Sequence, residues 1–342
     1  MSGAAETPPS LPAAVVGPEE APARRWLLIK AKAGLGNRML SAVTGLIYAE
    51  LTGRAPVIDW RDGMYANPGV NAYHLLFDAP ELTEPEALPT CPASVAPPIW
   101  RDALESHPDV LIARNDPKRH SDPLLYRKYC VDLATLDRDS EIAVFWSYLP
   151  KLGRLRRHMG RVPAFAGRSS DEVLRDYLRT YFTPNAGVRT AIQNLIPAAQ
   201  RPVIGVHIRH TDMVTPLERF RTAIRRRLDA TPNASIYLAT DNPKVEAEFR
   251  AAFPRVFCAP KWFPSDGKNI HYHTGEVDRL REAENALIDM GALARCDQLI
   301  YSRNSTFSLI SALTGDFAPG AVEDVDARNI RIRLKRFVQS YL

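Results

Sequence analysis

P-V-I-G-V-H-I-R-H-T-D (Pro202 to Asp212) is the stretch on which the reading of the fold turns. Its near-continuous apolar run marks a strand buried on both faces, the signature of a parallel sheet covered by helices. The chain downstream of it repeats that grammar. Thr215 to Ala230 reads as a helix, A-S-I-Y-L-A-T (Ala234 to Thr240) as a strand, and Pro243 to Phe253 as a helix. R-V-F-C (Arg255 to Cys258) is a short strand, Glu282 to Cys296 a helix, Q-L-I-Y (Gln298 to Tyr301) a strand, and Ser305 to Leu313 a helix. Strands separated by helices of this length predict a doubly wound α/β domain.

The N-terminal side begins the same way. W-L-L-I-K-A from Trp26 is a strand, G-L-G-N from Gly34 a tight turn, and Arg38 to about Leu51 a helix with Met39, Val43, Leu46, Ile47 and Leu51 on one face. Gly53 stops it, and A-P-V-I-D-W (Ala55 to Trp60) is the next strand. Pro68 to Pro123 is Pro-rich and weakly periodic, which suggests insertions. Helical pattern returns over Ser169 to Leu195, and Arg201-Pro202 marks a boundary.

Composition excludes other classes. The 342 residues carry 44 Lys+Arg and 39 Asp+Glu, a net +5, with 45% hydrophobic residues. That is globular composition, and +5 over this length is too weak for nucleic-acid binding but permits one anionic ligand. Cys91, Cys130, Cys258 and Cys296 form no Cys-x-x-Cys pair, so reduced thiols in a cytoplasmic protein are expected. Residues 1–24 lack a basic region followed by an apolar one and read as a disordered tail rather than a signal peptide; no window is apolar for long enough to span a membrane. Residues 25–198 and 199–342 are the two expected domains.

Ligands of open parallel sheets bind beyond the carboxyl ends of the strands. Three such ends are polar here: Arg209-His210-Thr211-Asp212, Asp241-Asn242, and Arg303-Asn304-Ser305-Thr306. Arg209 offers a planar fork of donors matched to phosphate oxygens, or it ties a loop to the sheet through Asp212. Ser305 or Thr306 would cap the last helix, whose amides also make an anion site. Asp241 would cap the helix after it or accept hydrogen bonds from a ligand. Gly34, Gly36, Asn37 and Arg38 belong to a Gly-bearing turn that is neither a Walker loop nor a full G-x-G-x-x-G; its helix N-terminus and Arg38 would approach a phosphate from the other domain. The pairs Asp137/Asp139 and Asp324/Asp326 match Asp-x-Asp but follow no convincing strand, and His271/His273 lack a third ligand, so no metal is expected. Arg225 to Arg227 lie on the polar side of an amphipathic helix.

Together these motifs resemble those of the GDP-fucose-dependent fucosyltransferase superfamily. G-V-H-I-R-H-T-D is similar to its H-x-R-[RH]-x-[DN] signature, A-T-D-N-P to its second motif, and Ala286 to Leu313 to its third. The opening, Gly34 to Arg54 with V-I-D-W, resembles that of rhizobial nodulation and plant xyloglucan fucosyltransferases. The resemblance covers about residues 26–60 and 200–315. It implies a GT-B fold of two Rossmann-like domains facing across a cleft. It also implies an inverting, metal-independent transfer of fucose from GDP-fucose to a hydroxyl of a glycan acceptor, with no cofactor. By position, Arg209 would meet the donor diphosphate, and His207, Asp241, Asp289, Asn304 and Ser305 would line the GDP site. His210 and Asn242 stand where core α1,6 enzymes carry Arg and Asp, which favours bacterial relatives. Glu218 lies one residue out of register with the base of some members, and T-P-L-E (Thr215 to Glu218) is also a capping box. The alternatives are another nucleotide sugar, or a non-catalytic nucleotide- or glycan-binding protein on this fold.

Overall fold

The computed structural model describes residues 24–79, 82–119, 124–211, 216–260 and 278–341. The expected tail therefore lies almost wholly outside the described residues, as do Asp212, Thr215, His271 and His273. Two parallel sheets organise the rest. The first is built from β1 (Trp26–Lys30), β2 (Ala55–Asp59), β3 (Val95–Ala96) and β4 (Ile142–Phe145), in the order β2-β1-β4-β3. The second holds β5 (Val203–Ile208), β6 (Ser235–Thr240), β7 (Val256–Phe257), β8 (Gln298–Tyr301) and β9 (Val322–Asp324), in the order β7-β6-β5-β8-β9. All pairings are parallel, with Ile29 opposite Ile58 and Phe145, and Ile204 opposite Ile236 and Gln298.

Helices fill the connections. In the first half these are α1 (Leu35–Thr52), α2 (Ala72–Leu76), α3 (Pro108–Asn115), α4 (Tyr126–Tyr129), α5 (Leu152–Met159), α6 (Ser170–Tyr181) and α7 (Ala186–Leu195). In the second they are α8 (Leu217–Ala230), α9 (Pro243–Ala252), α10 (Arg279–Ala294), α11 (Thr306–Thr314) and α12 (Ile330–Tyr341). α1 begins three residues before the expected start. It is buried nearly all round, as a helix packed on both sides must be. Gly53 ends it in the left-handed region (φ 66°), returning its N–H to the carbonyls of Ala49 and Glu50. The expected helix over Ser169 to Leu195 is two. Pro184 interrupts the ladder, and Asn185 caps the second by accepting from Val188 N.

The Pro-rich stretch contributes the edge strand β3, which pairs with β4; β4 follows that stretch and lies beside β1. The cores cross the expected boundary at residue 198. One continuous core joins the first sheet and α1, α6 and α7 to Leu287 and Met290 of α10 and to Leu309, Ile310 and Leu313 of α11. Two smaller cores cover the faces of the second sheet, one with α8 and α9, the other with the end of α10. α12 returns to the first half and lies on α5, where Gly153 accommodates Ser340 and Tyr341.

Candidate active site

Each sheet has one point where the strand order reverses. In the first sheet β1 is flanked by β2 and β4; in the second β5 is flanked by β6 and β8. Loops diverge at such a point and open a crevice beyond the carboxyl ends. α1 follows β1 and α11 follows β8, so each starts at its sheet's crevice, and the two N-termini meet. A Cβ on Gly36 would lie 3.0 Å from the backbone of Thr306 and Phe307, so glycine permits the approach. Thr306 Oγ1 donates to Asn37 Oδ1 across the junction at 2.7 Å.

Neither terminus is capped by a side chain. Gly34 has none to offer, and Thr306 spends its hydroxyl on Asn37. Ser305 occupies the cap position of α11, but the residue is 2% exposed and its hydroxyl makes no hydrogen bond. The expected capping by Ser305 or Thr306 is thus absent, and the first-turn amides of α11 lack the acceptor that a cap provides. A buried hydroxyl without a partner costs about 1–3 kcal/mol, which makes its position beside two positive helix ends informative. The loop before Ser305 is held from behind. Ser302 Oγ donates to Asp326 at 2.5 Å, Arg303 N to Asp324 at 3.0 Å, and the Arg336 guanidinium to the carbonyls of Arg303 and Asn304. Arg303 itself reaches back to both oxygens of Asp171 on α6 at 2.6 and 2.8 Å.

Arg209 and His210 leave the end of β5. His210 N donates to Asp241 Oδ1 at 2.7 Å and Thr211 Oγ1 to the Asp241 carbonyl at 2.9 Å, so Asp241 braces this loop rather than capping α9. Asn242 is the cap, accepting from Lys244 N and Val245 N at 3.0 and 3.3 Å. His210 Nδ1 is buried with no hydrogen-bond partner. His207 stacks on Phe307 of α11, centroids 4.8 Å apart and planes 14° from parallel, which locks β5 to the same helix start. Asp289 is buried on α10 and accepts a hydrogen bond from Tyr237 of β6. Burial and that carboxylate raise the Tyr237 phenol well above its ordinary range.

Across the junction, Tyr65 shows how near the rims are. Burial raises its phenol, while the charges of Arg38 and Arg209 pull it down. One arginine from each half therefore acts on a single buried ring, and the Arg38 guanidinium lies 5.1 Å from its centroid. Sequence reasoning missed Tyr65, whose one signal was an aromatic in the polar loop after β2. Arg38, expected to approach a phosphate from the other domain, is engaged by groups of its own half. It is fully buried, bonded by both terminal nitrogens to Asp62 and by Nε to the Ala33 carbonyl at 2.7 Å. Glu218 lies at the second position of α8, where a box with Thr215 would need the third. Its side chain is 72% exposed and paired with Arg221, which also holds Glu248 of α9. Among the described residues no three His, Cys, Asp or Glu side chains are grouped to hold a metal. Asp137 closes a turn on Ser140, and Asp326 is occupied by Ser302 and Arg219.

The family model for Nodulation protein Z (NodZ) matches residues 167–334. Nodulation protein Z of Azorhizobium caulinodans is 26% identical over 319 residues, 84% of this chain and 88% of the relative. That of Bradyrhizobium diazoefficiens is 24% identical over 340 residues, 87% and 80% of the two chains. Fucosyltransferase NodZ from Bradyrhizobium superposes with a TM-score of 0.57 at 24% identity, covering 85% of this chain and 94% of that one. Arabidopsis thaliana FUT1, solved as a mutant with GDP, gives 0.53 at 14% identity over 86% and 69%. The solved structures show the shared GT-B fold, and the relatives are bacterial, as His210 and Asn242 suggested. In motif order and fold the chain is similar to GDP-fucose-dependent fucosyltransferases, and its residues 167–334 match the NodZ family model.

Proposed function

We propose that this chain is an inverting glycosyltransferase that moves fucose from GDP-fucose to a hydroxyl of a glycan acceptor without a metal ion. The observation that carries the reading is the buried, unpartnered Ser305 hydroxyl where two uncapped helix N-termini converge. In this reading the donor diphosphate lies against Ser305 and the first amides of α11, with Arg209 from the end of β5 and the α1 terminus closing around it. As the bond between the fucose C1 and the phosphate oxygen breaks, negative charge grows on GDP. A guanidinium fork and fixed amide dipoles stabilise that charge with no reorganisation at the moment of reaction. The acceptor hydroxyl attacks C1 from the opposite face, along the rim of the first sheet, forming the new C1–O bond as its proton passes to solvent. We assign Glu218 to holding α8 against α9 rather than to proton transfer, because its carboxylate is engaged by Arg221. Asp241 and His207 position the β5 end, and Asp289 fixes Tyr237 beneath it. A solved NodZ is described as an alpha-1,6-fucosyltransferase co-crystallized with GDP (TM-score 0.58, 24% identity), which makes that linkage the first to assay.

Thermal denaturation in EDTA tests the donor site. GDP at about 100 times its dissociation constant should stabilise the fold by about 2.7 kcal/mol, with UDP and CMP well below it. Ser305→Ala should stabilise the free protein by about 1–3 kcal/mol, since it removes a buried hydroxyl that bonds nothing, yet weaken GDP by about tenfold. Equal stabilisation by UDP would reassign the donor, and turnover that requires manganese would end the metal-free mechanism.

A further inference from the structure

α12 displays its apolar side outward. Ile330, Leu334 and Phe337 are 75%, 60% and 62% exposed, with Val338 and Tyr341 exposed beside them. These are five of the ten exposed large apolar side chains among the described residues. Ile330, Leu334, Phe337 and Tyr341 follow one another at intervals of four, three and four residues, which places them in a single stripe. The opposite side holds the helix to the body. Arg336 donates to the loop before α11, the Gln339 carbonyl accepts from Lys151 Nζ at 2.8 Å, and Ser340 Oγ accepts from Gly153 N at 3.0 Å. The outward stripe is therefore not a core face awaiting closure against this chain's own sheets.

The charges beside it all have one sign. α12 carries Arg331, Arg333, Lys335 and Arg336 and no carboxylate; neighbouring α5 carries Arg154, Arg156 and Arg157 and no carboxylate. Arg331, Arg333 and Lys335 are exposed, and among the described residues no acidic side chain pairs with them. Arg331 and Arg333 flank the stripe on its two sides. A second copy docked on the same stripe would set these cations against themselves, because an isologous interface pairs each patch with its own copy. An apolar stripe framed by cations, ending in aromatic rings, has the chemistry of a helix lying in the headgroup plane of an anionic bilayer.

We infer that α12, supported by α5, docks the enzyme on an anionic phospholipid surface, with Leu334 and Phe337 entering the headgroup boundary and Arg331, Arg333 and Lys335 meeting lipid phosphates. The test is co-sedimentation of the full chain with phosphatidylcholine vesicles, with and without about one third phosphatidylglycerol. The parent should bind only the anionic vesicles and be released by high salt. Leu334→Ser/Phe337→Ser should abolish sedimentation. Arg331→Glu/Arg333→Glu/Lys335→Glu should weaken it by about 100-fold or more, at roughly fivefold per lost cation. Both variants should keep the parent melting temperature and its shift with GDP, so a failed donor reading and a failed membrane reading are separately visible. In a Phe337→Trp variant, indole emission should move to the blue on adding anionic vesicles. No binding to anionic vesicles, equal binding to neutral ones, or a dimer that Phe337→Ser dissolves would each overturn the inference.

Discussion

The carboxyl rims of the two sheets have different electrostatic characters. At the first, every charge is answered from within. Lys30 and Asp59, the last residues of β1 and β2, are both fully buried and meet at 2.6 Å. Arg61 bonds the same carboxylate at 2.9 Å and also takes Glu86 and Glu105 at 3.0 and 2.9 Å, while Arg38 holds Asp62 and Lys32 holds Asp109. At the second rim the Ser305 hydroxyl and His210 Nδ1 are buried with no hydrogen-bond partner. Self-neutralised rims act as scaffolding, whereas buried groups without partners mark where an external ligand completes the bonding. The second rim thus leaves a hydroxyl and an imidazole nitrogen without partners, whereas the charges of the first are spent on one another, although the Trp60 and Trp146 indole N–H groups there are also buried without a hydrogen bond.

The sharpest way to break this contrast is to remove the centre of the first network. Asp59→Ala would leave Lys30 and Arg61 buried without their shared carboxylate, and a cost of about 3–5 kcal/mol is expected from denaturant titration. A loss below about 1 kcal/mol would show the network to be dispensable. Next in size is Arg209→Lys, which keeps the charge and loses the fork. Turnover should fall by about 100-fold, or about 2.7 kcal/mol, with folding retained and GDP binding only modestly weaker. Near-parental transfer by this variant would remove Arg209 from the mechanism, while an equal loss of stability and activity would make it a loop tie.

Acid should separate the rims as well. Burial alone would raise the Asp59 carboxyl, but the Arg61 hydrogen bond and the Lys30 charge outweigh it and bring it from 3.8 to about 2. A carboxyl depressed on folding stabilises the protein above its unfolded value and loses that contribution as pH falls through the folded one. About 2 kcal/mol should therefore disappear between roughly pH 4 and 2, and the acid limb should flatten in Asp59→Asn if that variant folds. Gly36→Ala should have the smallest effect, about 1–2 kcal/mol, as α1 and α11 shift apart to admit a methyl group. Its cost should rise when GDP is bound, since the ligand needs both helix ends close; an identical cost with and without GDP would place the donor away from this junction.

Much of the second half was legible because its strands are apolar runs punctuated by polar ends, and each such end becomes a loop at one rim. Gly34 and Gly53 likewise announced the turn and the stop of α1. The features that escaped were signalled by local information too short or too common to read. β4 is a four-residue apolar run after the Pro-rich stretch, and pairing with β1 and β3 makes it a strand. Asp241, Asn242, Ser305 and Thr306 all have the chemistry of a cap, so the local sequence does not choose among them. Which one caps depends on what else lies within reach: Asn37 takes Thr306, and the β5 loop takes Asp241. Arg38 has the chemistry of a phosphate ligand, and nothing in its neighbourhood along the chain reveals that Asp62 folds back onto it.

By itself the sequence determined two wound α/β halves and the polar strand ends at the rim of the second sheet. These depend on hydrophobic period and on side chains a few residues apart, which the chain order preserves. Only the tertiary structure decided which polar groups are consumed by partners and which remain for a ligand, that α10 and α11 share a core with the first sheet, and that α12 turns its apolar stripe outward. Those outcomes depend on contacts between residues more than 100 positions apart, such as Asn37 with Thr306 and Gly153 with Ser340, where sterics and hydrogen-bond competition choose among options that are locally equivalent.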